Sequence, residues 1–237
     1  MSAAPLLEAV GLNAGYGAGP VVHDLDLVVD AGEVVALIGP NGAGKSTTML
    51  SLAGELPPIG GVIRQDGVDV RAPLYRRARN GLGFVPEERS VIASMTARQN
   101  LRLARVDPQA AIEMFPELEE HLDRRAGLLS GGQQQILTLA RVLARKPRVL
   151  LADELSLGLA PKVVDRLLTA VRQAADQGLG VLLVEQHIRK ALAVADRVYV
   201  LHHGSVTWSG TAEEALRRQT ELEESFLTGG TASPPVP

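Results

Sequence analysis

The fold of this 237-residue chain is decided by the stretch Gly39-Pro40-Asn41-Gly42-Ala43-Gly44-Lys45-Ser46, which matches the phosphate-loop pattern G-x-x-x-x-G-K-[ST]. A continuous apolar run at 34–38 precedes it, and a segment with a helical pattern at 45–53 follows it. A buried strand before the loop and a helix after it are the context that this pattern requires. The alternative is a glycine turn that precedes a helix by chance, and the strand–loop–helix setting argues against it.

Each residue type in the loop has a chemical role. Glycines allow backbone N–H groups to converge on phosphate oxygens, and the N-terminus of the following helix adds a favourable dipole. We expect Lys45 to neutralise the β and γ phosphates and the Ser46 hydroxyl to ligate Mg²⁺. The residues predicted to contact the nucleotide here are Gly39, Pro40, Asn41, Gly42, Ala43, Gly44, Lys45, Ser46 and Thr47.

Two carboxylates, Asp153 and Glu154, follow a second apolar run at 149–152. Ligands of open α/β sheets bind at the carboxyl ends of the strands. Asp153 is therefore expected to hold Mg²⁺, through water, and Glu154 to orient or deprotonate the attacking water. The alternative is a strand end with two solvated acids, which the phosphate loop upstream makes less favourable.

Strand and helix patterns alternate along much of the chain, which predicts an α/β fold. Buried parallel strands are predicted at 34–38, 149–152 and 181–184, and helices at 45–53, 162–176 and 188–195. Segments 6–14 and 21–29 predict a flanking antiparallel β subdomain, and 196–201 and 205–209 predict a late strand and a terminal hairpin.

Residues 88–145 interrupt this alternation and predict an inserted α-helical subdomain, with helices at 96–104, 110–115 and 131–145. We therefore expect one domain over 1–228. The last residues, 229–237, consist of Gly, Thr, Ala, Ser, Pro and Val, and this composition predicts disorder.

The composition bounds the possible functions. Hydrophobic residues make up 46% and charged residues 22% of the chain, as in a globular protein. A net charge of −3 gives no general attraction to nucleic acid, so none is expected as a partner. The chain has no cysteine, which excludes disulfides and thiolate metal sites. The first residues do not predict a secretory leader, and no apolar run is long enough to span a bilayer, so we expect membrane action to require an embedded partner.

A second motif narrows the class of protein. Leu129-Ser130-Gly131-Gly132-Gln133 resembles the signature motif of ABC ATPases, and it lies between the phosphate loop and the acidic pair, as in that family. The resemblance implies ATP and Mg²⁺ as ligands, and Ser130, Gly131, Gly132 and Gln133 as residues that meet the γ-phosphate held by a second protomer. A serine N-cap followed by flexible glycines is the alternative.

The same resemblance assigns roles to residues outside these motifs. Tyr16 matches the aromatic residue that stacks on adenine, with a half-buried strand-end tyrosine as the alternative. Glu87 stands where most relatives have a glutamine that meets Mg²⁺ or water. Gln186 aligns with the switch histidine and His187 lies one residue late, so we favour Gln186. The usual D-loop aspartate is replaced by Ala160.

One branch of the family has these departures in common. The chain resembles the branched-chain amino acid importer ATPases in three segments, namely Val85-Pro86-Glu87 with Arg89, 156–161 and 182–186. That resemblance implies a subunit on the cytoplasmic face of the membrane, beneath two permease subunits served by a solute-binding protein. It also implies a second ABC ATPase subunit, identical or similar, as the dimer partner. Related members handle other small polar solutes.

Three other functions remain open on the sequence. The chain could be a soluble ABC ATPase of an assembly complex, such as iron–sulfur scaffold maturation, or an export ATPase. It could also be a regulator that binds ATP without hydrolysing it, and Glu154 argues against that. The expected docking segment for a permease, 86–103, distinguishes the first of these from the importer.

Overall fold

The computed structural model describes residues 4–17 and 19–228. The predicted disorder of 229–237 lies outside these residues. Within the described part, the strands are β1 (Leu7–Tyr16), β2 (Gly19–Val29), β3 (Val34–Ile38), β4 (Gly60–Gln65), β5 (Val68–Asp69), β6 (Leu82–Val85), β7 (Val149–Asp153), β8 (Gly180–Glu185), β9 (Arg197–His202) and β10 (Ser205–Thr211). The α-helices of the same residues are α1 (Lys45–Ala53), α2 (Leu74–Arg79), α3 (Ala97–Leu103), α4 (Pro108–Met114), α5 (Gly131–Leu143), α6 (Pro161–Asp176), α7 (Ile188–Leu192), α8 (Ala212–Arg217) and α9 (Gln219–Thr228).

A six-stranded sheet with the order β10-β9-β3-β8-β7-β6 forms the centre of the molecule. All neighbouring pairs are parallel except β9 with β10. Every residue of β3, β7 and β8 is buried, because packed side chains cover both faces of these strands. This confirms the buried strands that the continuous apolar runs predict.

The second sheet is antiparallel and has the order β2-β1-β4-β5. Its apolar side chains pack with those of α1 and one face of the central sheet in a shared core that includes Leu7, Leu25, Leu37, Met49 and Leu182. The predicted flanking antiparallel sheet is therefore present. It holds the first helix against the central sheet, with the phosphate loop at the helix N-terminus.

The helices α3, α4 and α5 lie between β6 and β7, together with 3-10 helices at Pro116–His121 and Ala126–Leu128. Their bounds differ slightly from the predictions. The fourth helix begins two residues earlier, because the Asp107 side chain accepts from the Gln109 amide and Pro108 suits the first turn. The fifth ends two residues earlier, since Lys146 takes a left-handed conformation (φ 51°) before a proline. The bounds of the helical subdomain, 88–145, and of the whole domain, 1–228, stay predictions.

The seventh helix ends three residues before its predicted end, because the Asp196 amide already donates to the Val34 carbonyl at 2.8 Å and so starts the next strand. Several elements have no counterpart among the predictions, namely β4, β5, β6, α2, α8 and α9. Short strands with glycine, such as β4 and β6, lack the continuous apolar run that marks β3. No helix in 4–17 and 19–228 has the length and apolar character needed to cross a membrane.

Arg77 is a buried cation that closes the C-terminal end of α1. Its guanidinium donates to the carbonyls of Leu52, Ala72 (2.8 Å) and Val70 (3.1 Å). Leu52 lies in the last turn of α1, where free carbonyls and the negative end of the helix dipole favour a positive charge. Burial lowers the pKa of Arg77, so the three carbonyls offset its loss of hydration.

We predict that Arg77→Met lowers the free energy of unfolding by about 3 kcal/mol, because three buried carbonyls lose their charged donor. Denaturant unfolding of the purified chain measures this. Arg79→Met is the matched control, since Arg79 lies on the same helix and is exposed. Equal effects of the two substitutions would contradict the capping role of Arg77.

Candidate nucleotide site

The phosphate loop joins β3 to α1 with a backbone that only glycine accommodates at several positions. Gly42 and Gly44 have φ values of 78° and 103°, in the left-handed region. A Cβ on Gly39 would lie 2.2 Å from the carbonyl oxygen of Leu201. The loop is therefore pressed against the end of β9, and its amides are free to face a ligand at the N-terminus of α1.

Lys45 is buried at the first position of α1, where it is held by its own loop. Its ammonium donates to the carbonyls of Gly39 (2.9 Å) and Pro40 (3.0 Å). Burial lowers its pKa, and the charges of Glu154 and Asp153 oppose this change. Ser46, the next residue, is exposed, and Thr47 faces the interior. The predicted phosphate cation and the predicted Mg²⁺ hydroxyl thus lie side by side on the first turn.

The turn between β9 and β10 supports the loop from behind, and sequence reasoning missed it. The Gly204 amide donates to the carbonyl of Ala43 at 2.9 Å, and the His23 amide donates to the carbonyl of Gly204 at 2.8 Å. A Cβ on Gly204 would lie 2.0 Å from the Val21 carbonyl oxygen. These contacts join the loop to both sheets, and only the glycine in a late turn hints at them in the sequence.

Asp153 ends β7 as a buried carboxylate with an unused oxygen. In the part of the chain that the structure describes, its Oδ1 atom is buried without a hydrogen-bond partner. Burial, together with the charges of Glu154 and Glu87, raises the pKa of Asp153 to about 7, although Lys45 opposes this. Such a carboxylate is relieved when a cation or a bound water reaches it.

The residues present fit Mg²⁺ held together with a nucleotide. Hard oxygen donors suit this ion, which retains waters and binds through one or two carboxylates plus phosphate oxygens. Asp153 offers an unpaired oxygen and Ser46 an exposed hydroxyl. Within the described residues no group of three or more His, Cys, Asp or Glu side chains could hold a metal ion on its own. The phosphates would thus have to complete the ion's shell.

Glu154 has the geometry of a positioned base. Its backbone is left-handed (φ 47°), and its amide donates to the carbonyl of Val184 at 2.9 Å. The Nε2 atom of Gln186 donates to its Oε1 atom at 2.7 Å. The structure thus brings Gln186 to Glu154, whereas His187 is exposed at the start of α7.

Glu185, which lies in the segment 182–186 and received no role from the sequence, is the most deeply buried acid of this region, with 1% of its surface exposed. It accepts from the amide of Ser156 (3.1 Å) and from its hydroxyl (2.8 Å). Burial raises its pKa, and the contacts with Ser156 oppose the change. A charged residue at the end of an apolar strand is the one signal that could have marked it.

Glu87 is exposed and borders a cavity of about 420 Å³, together with Glu154, Gln134 and Gln135. Its charge contributes to the raised pKa of Asp153. The predicted third metal-site residue is therefore near the acidic pair, on the chain segment that follows β6.

The signature residues lie at the N-terminus of α5. The Gln133 amide donates to the Ser130 Oγ atom at 3.3 Å, and the Ser130 amide donates to the Gln133 Oε1 atom at 2.8 Å, which completes a capping box. The hydroxyl hydrogen of Ser130 remains available to a phosphate oxygen, as do the first amides of the helix at Gly131 and Gly132. The arrangement has the features of an anion site, on a different helix from the phosphate loop, and its role stays a prediction.

Tyr16 ends β1 opposite Gly19, with 54% of its surface exposed. Val22, on the paired strand, lies behind Gly44, where an added Cβ would approach its Cγ2 atom at 3.2 Å. The exposed ring can therefore accept a stacked base. Whether it does so stays a prediction.

A family model described as ABC transporter matches residues 22–156, which contain the phosphate loop, the signature and the acidic pair. The chain belongs to this family. It is 38% identical over 224 residues to the high-affinity branched-chain amino acid transport ATP-binding protein BraG of Pseudomonas aeruginosa, covering 90% of this chain and 96% of that protein. It is 37% identical over 236 residues to the lipopolysaccharide export system ATP-binding protein LptB of Acidithiobacillus ferridurans, covering 93% and 98%.

A solved structure of an ATP-binding subunit of an ABC transporter is similar over most of the chain. Its TM-score is 0.83 at 30% identity, covering 94% of this chain and 100% of that one. The predicted fold class, an α/β P-loop NTPase of the ABC type, is therefore confirmed. The chain is an ATP-binding and ATP-hydrolysing ABC subunit, as the resemblance of its motifs implied.

We predict that Lys45→Ala weakens ATP binding by about 100-fold, because the loop loses its phosphate cation. Isothermal titration with ATP and Mg²⁺ measures the affinity. Lys146→Ala removes an exposed positive charge elsewhere and should leave the affinity unchanged. Unaltered affinity in Lys45→Ala would contradict the assignment of the loop.

Gln186→Ala should lower kcat for ATP by about tenfold or more, because Glu154 loses the donor that orients it. His187→Ala, one residue along, should stay within about twofold of the parent. Steady-state phosphate release measures both variants. A larger loss in His187→Ala than in Gln186→Ala would reverse the alignment of the switch position.

Proposed function

We propose that the chain hydrolyses ATP at this edge of the central sheet and thereby powers an ABC importer of branched-chain amino acids or related small polar solutes. The observation that carries the hydrolytic part is the 2.7 Å contact between Gln186 and Glu154, next to the unpaired oxygen of Asp153. This contact involves only the Oε1 atom of Glu154, so the Oε2 atom can accept a proton.

In the proposed mechanism, the loop amides and Lys45 hold the triphosphate, and Tyr16 stacks on the adenine. Glu154 accepts a proton from the water that attacks the γ-phosphorus. The bond from that phosphorus to the bridging β–γ oxygen breaks, and ADP and phosphate are the products. Gln186 keeps the Glu154 carboxylate in place through its amide hydrogen. Positioning and charge stabilisation supply most of the rate enhancement in such reactions.

Ser46, Asp153 and Glu87 are the residues that would hold Mg²⁺, which supplies positive charge to the phosphate oxygens when it is bound. Several carboxylates face one lysine in this site, namely Asp153, Glu154 and Glu185 around Lys45. A triphosphate would add further negative charge, so a divalent cation makes binding of the nucleotide electrostatically favourable.

A dimer completes the proposed site. The anion site at Ser130, Gly131 and Gly132 belongs to a different helix from the phosphate loop, and one nucleotide in its own loop does not require it. We propose that it closes on the γ-phosphate bound to a second ABC ATPase subunit, either a copy of this chain or a similar one.

Import rests on the similarity to the branched-chain amino acid transport protein and on segments 85–87, 156–161 and 182–186. The proposed subunit lies on the cytoplasmic face of the membrane, bound to two permease subunits that a solute-binding protein serves.

Export of a lipid is the second candidate, because the similarity to a lipopolysaccharide export ATP-binding protein extends over 236 residues at 37% identity. A soluble assembly ATPase of the iron–sulfur scaffold type is a further alternative.

Affinity purification of the tagged chain from native membranes in mild detergent tests this proposal. We expect two multi-span permease subunits and a second ABC ATPase chain in near-stoichiometric amounts. Lipid-export membrane subunits would select the second candidate, and soluble partners alone would contradict transport.

The same experiment can test whether the segment 86–103 docks on the permease, by comparing a variant inside the segment with one outside it. Ile92→Asp introduces a charge at a partly exposed apolar residue of that segment and should reduce recovery of the permease subunits. Val68→Asp makes the same kind of change at an exposed residue of β5 and should not. Equal recovery with both variants would contradict docking through this segment.

A further inference from the structure

We propose that Glu185 is a positioning residue for ATP hydrolysis: by binding Ser156 it fixes the chain segment that carries Glu154, and so keeps the Glu154 carboxylate against Gln186. This inference rests on the proposed role of Glu154 as the base. It adds a buried acid that touches neither the nucleotide nor the attacking water.

Both carboxylate oxygens of Glu185 are used by one residue. The Ser156 amide donates to Oε1 at 3.1 Å, and the Ser156 hydroxyl donates to Oε2 at 2.8 Å. Both side chains are buried, and 29 residues separate them in the sequence. A two-point contact of this kind fixes the position and the orientation of the Ser156 backbone, since one donor belongs to the backbone itself.

Stability alone does not explain this contact, because burying a carboxylate costs desolvation free energy. Within the described residues no ion pair involves Glu185, so its charge is compensated mainly by the two hydrogen bonds from Ser156. An apolar side chain of similar volume at the end of β8 would avoid the cost of burying a carboxylate. Burial raises the pKa of Glu185 accordingly. A buried acid of this kind is best explained by what it holds in place.

What it holds is a strained turn. Glu154 has a left-handed backbone (φ 47°), which costs a residue with a side chain about 1 kcal/mol or more. On one side the turn is fixed by the pairing of Asp153 with Val184 and by the amide of Glu154 on the Val184 carbonyl. On the other side only Leu155 separates Glu154 from Ser156. The contact between Ser156 and Glu185 therefore fixes the backbone two residues after Glu154.

The end of β8 thus supplies two adjacent contacts to the same turn. Glu185 binds the backbone after Glu154, and Gln186 binds the Glu154 carboxylate at 2.7 Å. Loss of the first contact would let the turn relax and would move the base relative to Gln186. The hydrogen bonds of Lys45 to the carbonyls of Gly39 and Pro40 do not involve Glu185, so the phosphate loop would keep them. A displacement of about 1 Å at a reacting group is enough to lower a rate by up to about 100-fold.

The test compares kcat and KM for ATP in the purified chain and in three variants. Glu185→Ala should lower kcat by about tenfold and leave KM within about twofold, because turnover needs the turn and nucleotide binding does not. Glu185→Gln should recover part of the loss, since its amide oxygen can still accept one hydrogen bond from Ser156. Ser156→Ala, which keeps the backbone donor, should show an intermediate loss.

The double variant Glu185→Ala/Ser156→Ala separates positioning from a general loss of structure. If the two residues act through one contact, its kcat should equal that of Glu185→Ala. Glu33→Gln is the matched control: Glu33 is a part-buried acid that binds Arg197 and precedes the opposite end of β3. It should change thermal stability without changing kcat.

Two results would overturn the inference. One is parent kcat in Glu185→Gln and Ser156→Ala, which keep the volume of the site and are expected to fold even where Glu185→Ala does not. The other is a multiplicative loss in the double variant. A turnover that persists in Lys45→Ala would instead overturn the proposed hydrolytic site, and this inference with it.

Discussion

The parallel hydrogen bonding of β3, β8 and β7 is the constraint on which the rest of the structure depends. It places Ile38 beside Glu185 and Asp153 beside Val184, so the three strands end at one edge of the sheet. The phosphate loop leaves β3 there, the acidic pair leaves β7, and Gln186 follows β8. Because both faces of these strands are packed with apolar side chains, the register cannot slip without exposing them, and the polar groups at the edge stay fixed.

Negative charge exceeds positive charge at this edge of the sheet, and this excess favours ligand binding rather than folding. One buried lysine is surrounded by Asp153, Glu154 and Glu185, and burial raises the pKa of Asp153 to about 7. Such a cluster gains from a nucleotide that arrives with a divalent cation, since the cation meets the acids and the phosphates meet the loop. Within the described residues the buried Oδ1 atom of Asp153 has no hydrogen-bond partner, and a bound cation would satisfy it, as phosphates would satisfy the first amides of α1 and α5.

The sequence predicts the parts of this site that are local. The loop, the first helix and the strand ahead of Asp153 follow from residue types at fixed spacing, and the structure has the helix at Lys45–Ala53 as expected. The contact between Gln186 and Glu154 joins residues 32 apart in the sequence, and the contact between Glu185 and Ser156 joins residues 29 apart. Such contacts depend on sheet order, which single-sequence patterns do not encode. Arg77 is a partly similar case, because its acceptor Leu52 lies 25 residues away in the sequence and is brought near only by folding.

The measurement that tests the central claim most directly is a comparison of ATP binding and turnover in Glu154→Gln. This variant keeps the volume of the side chain and the oxygen that accepts from Gln186, and it removes the base. The account predicts ATP affinity, with Mg²⁺ present, within about twofold of the parent and a kcat lower by about 100-fold or more. A turnover close to that of the parent would contradict the account, because the protein would then hydrolyse ATP without a base at this strand end.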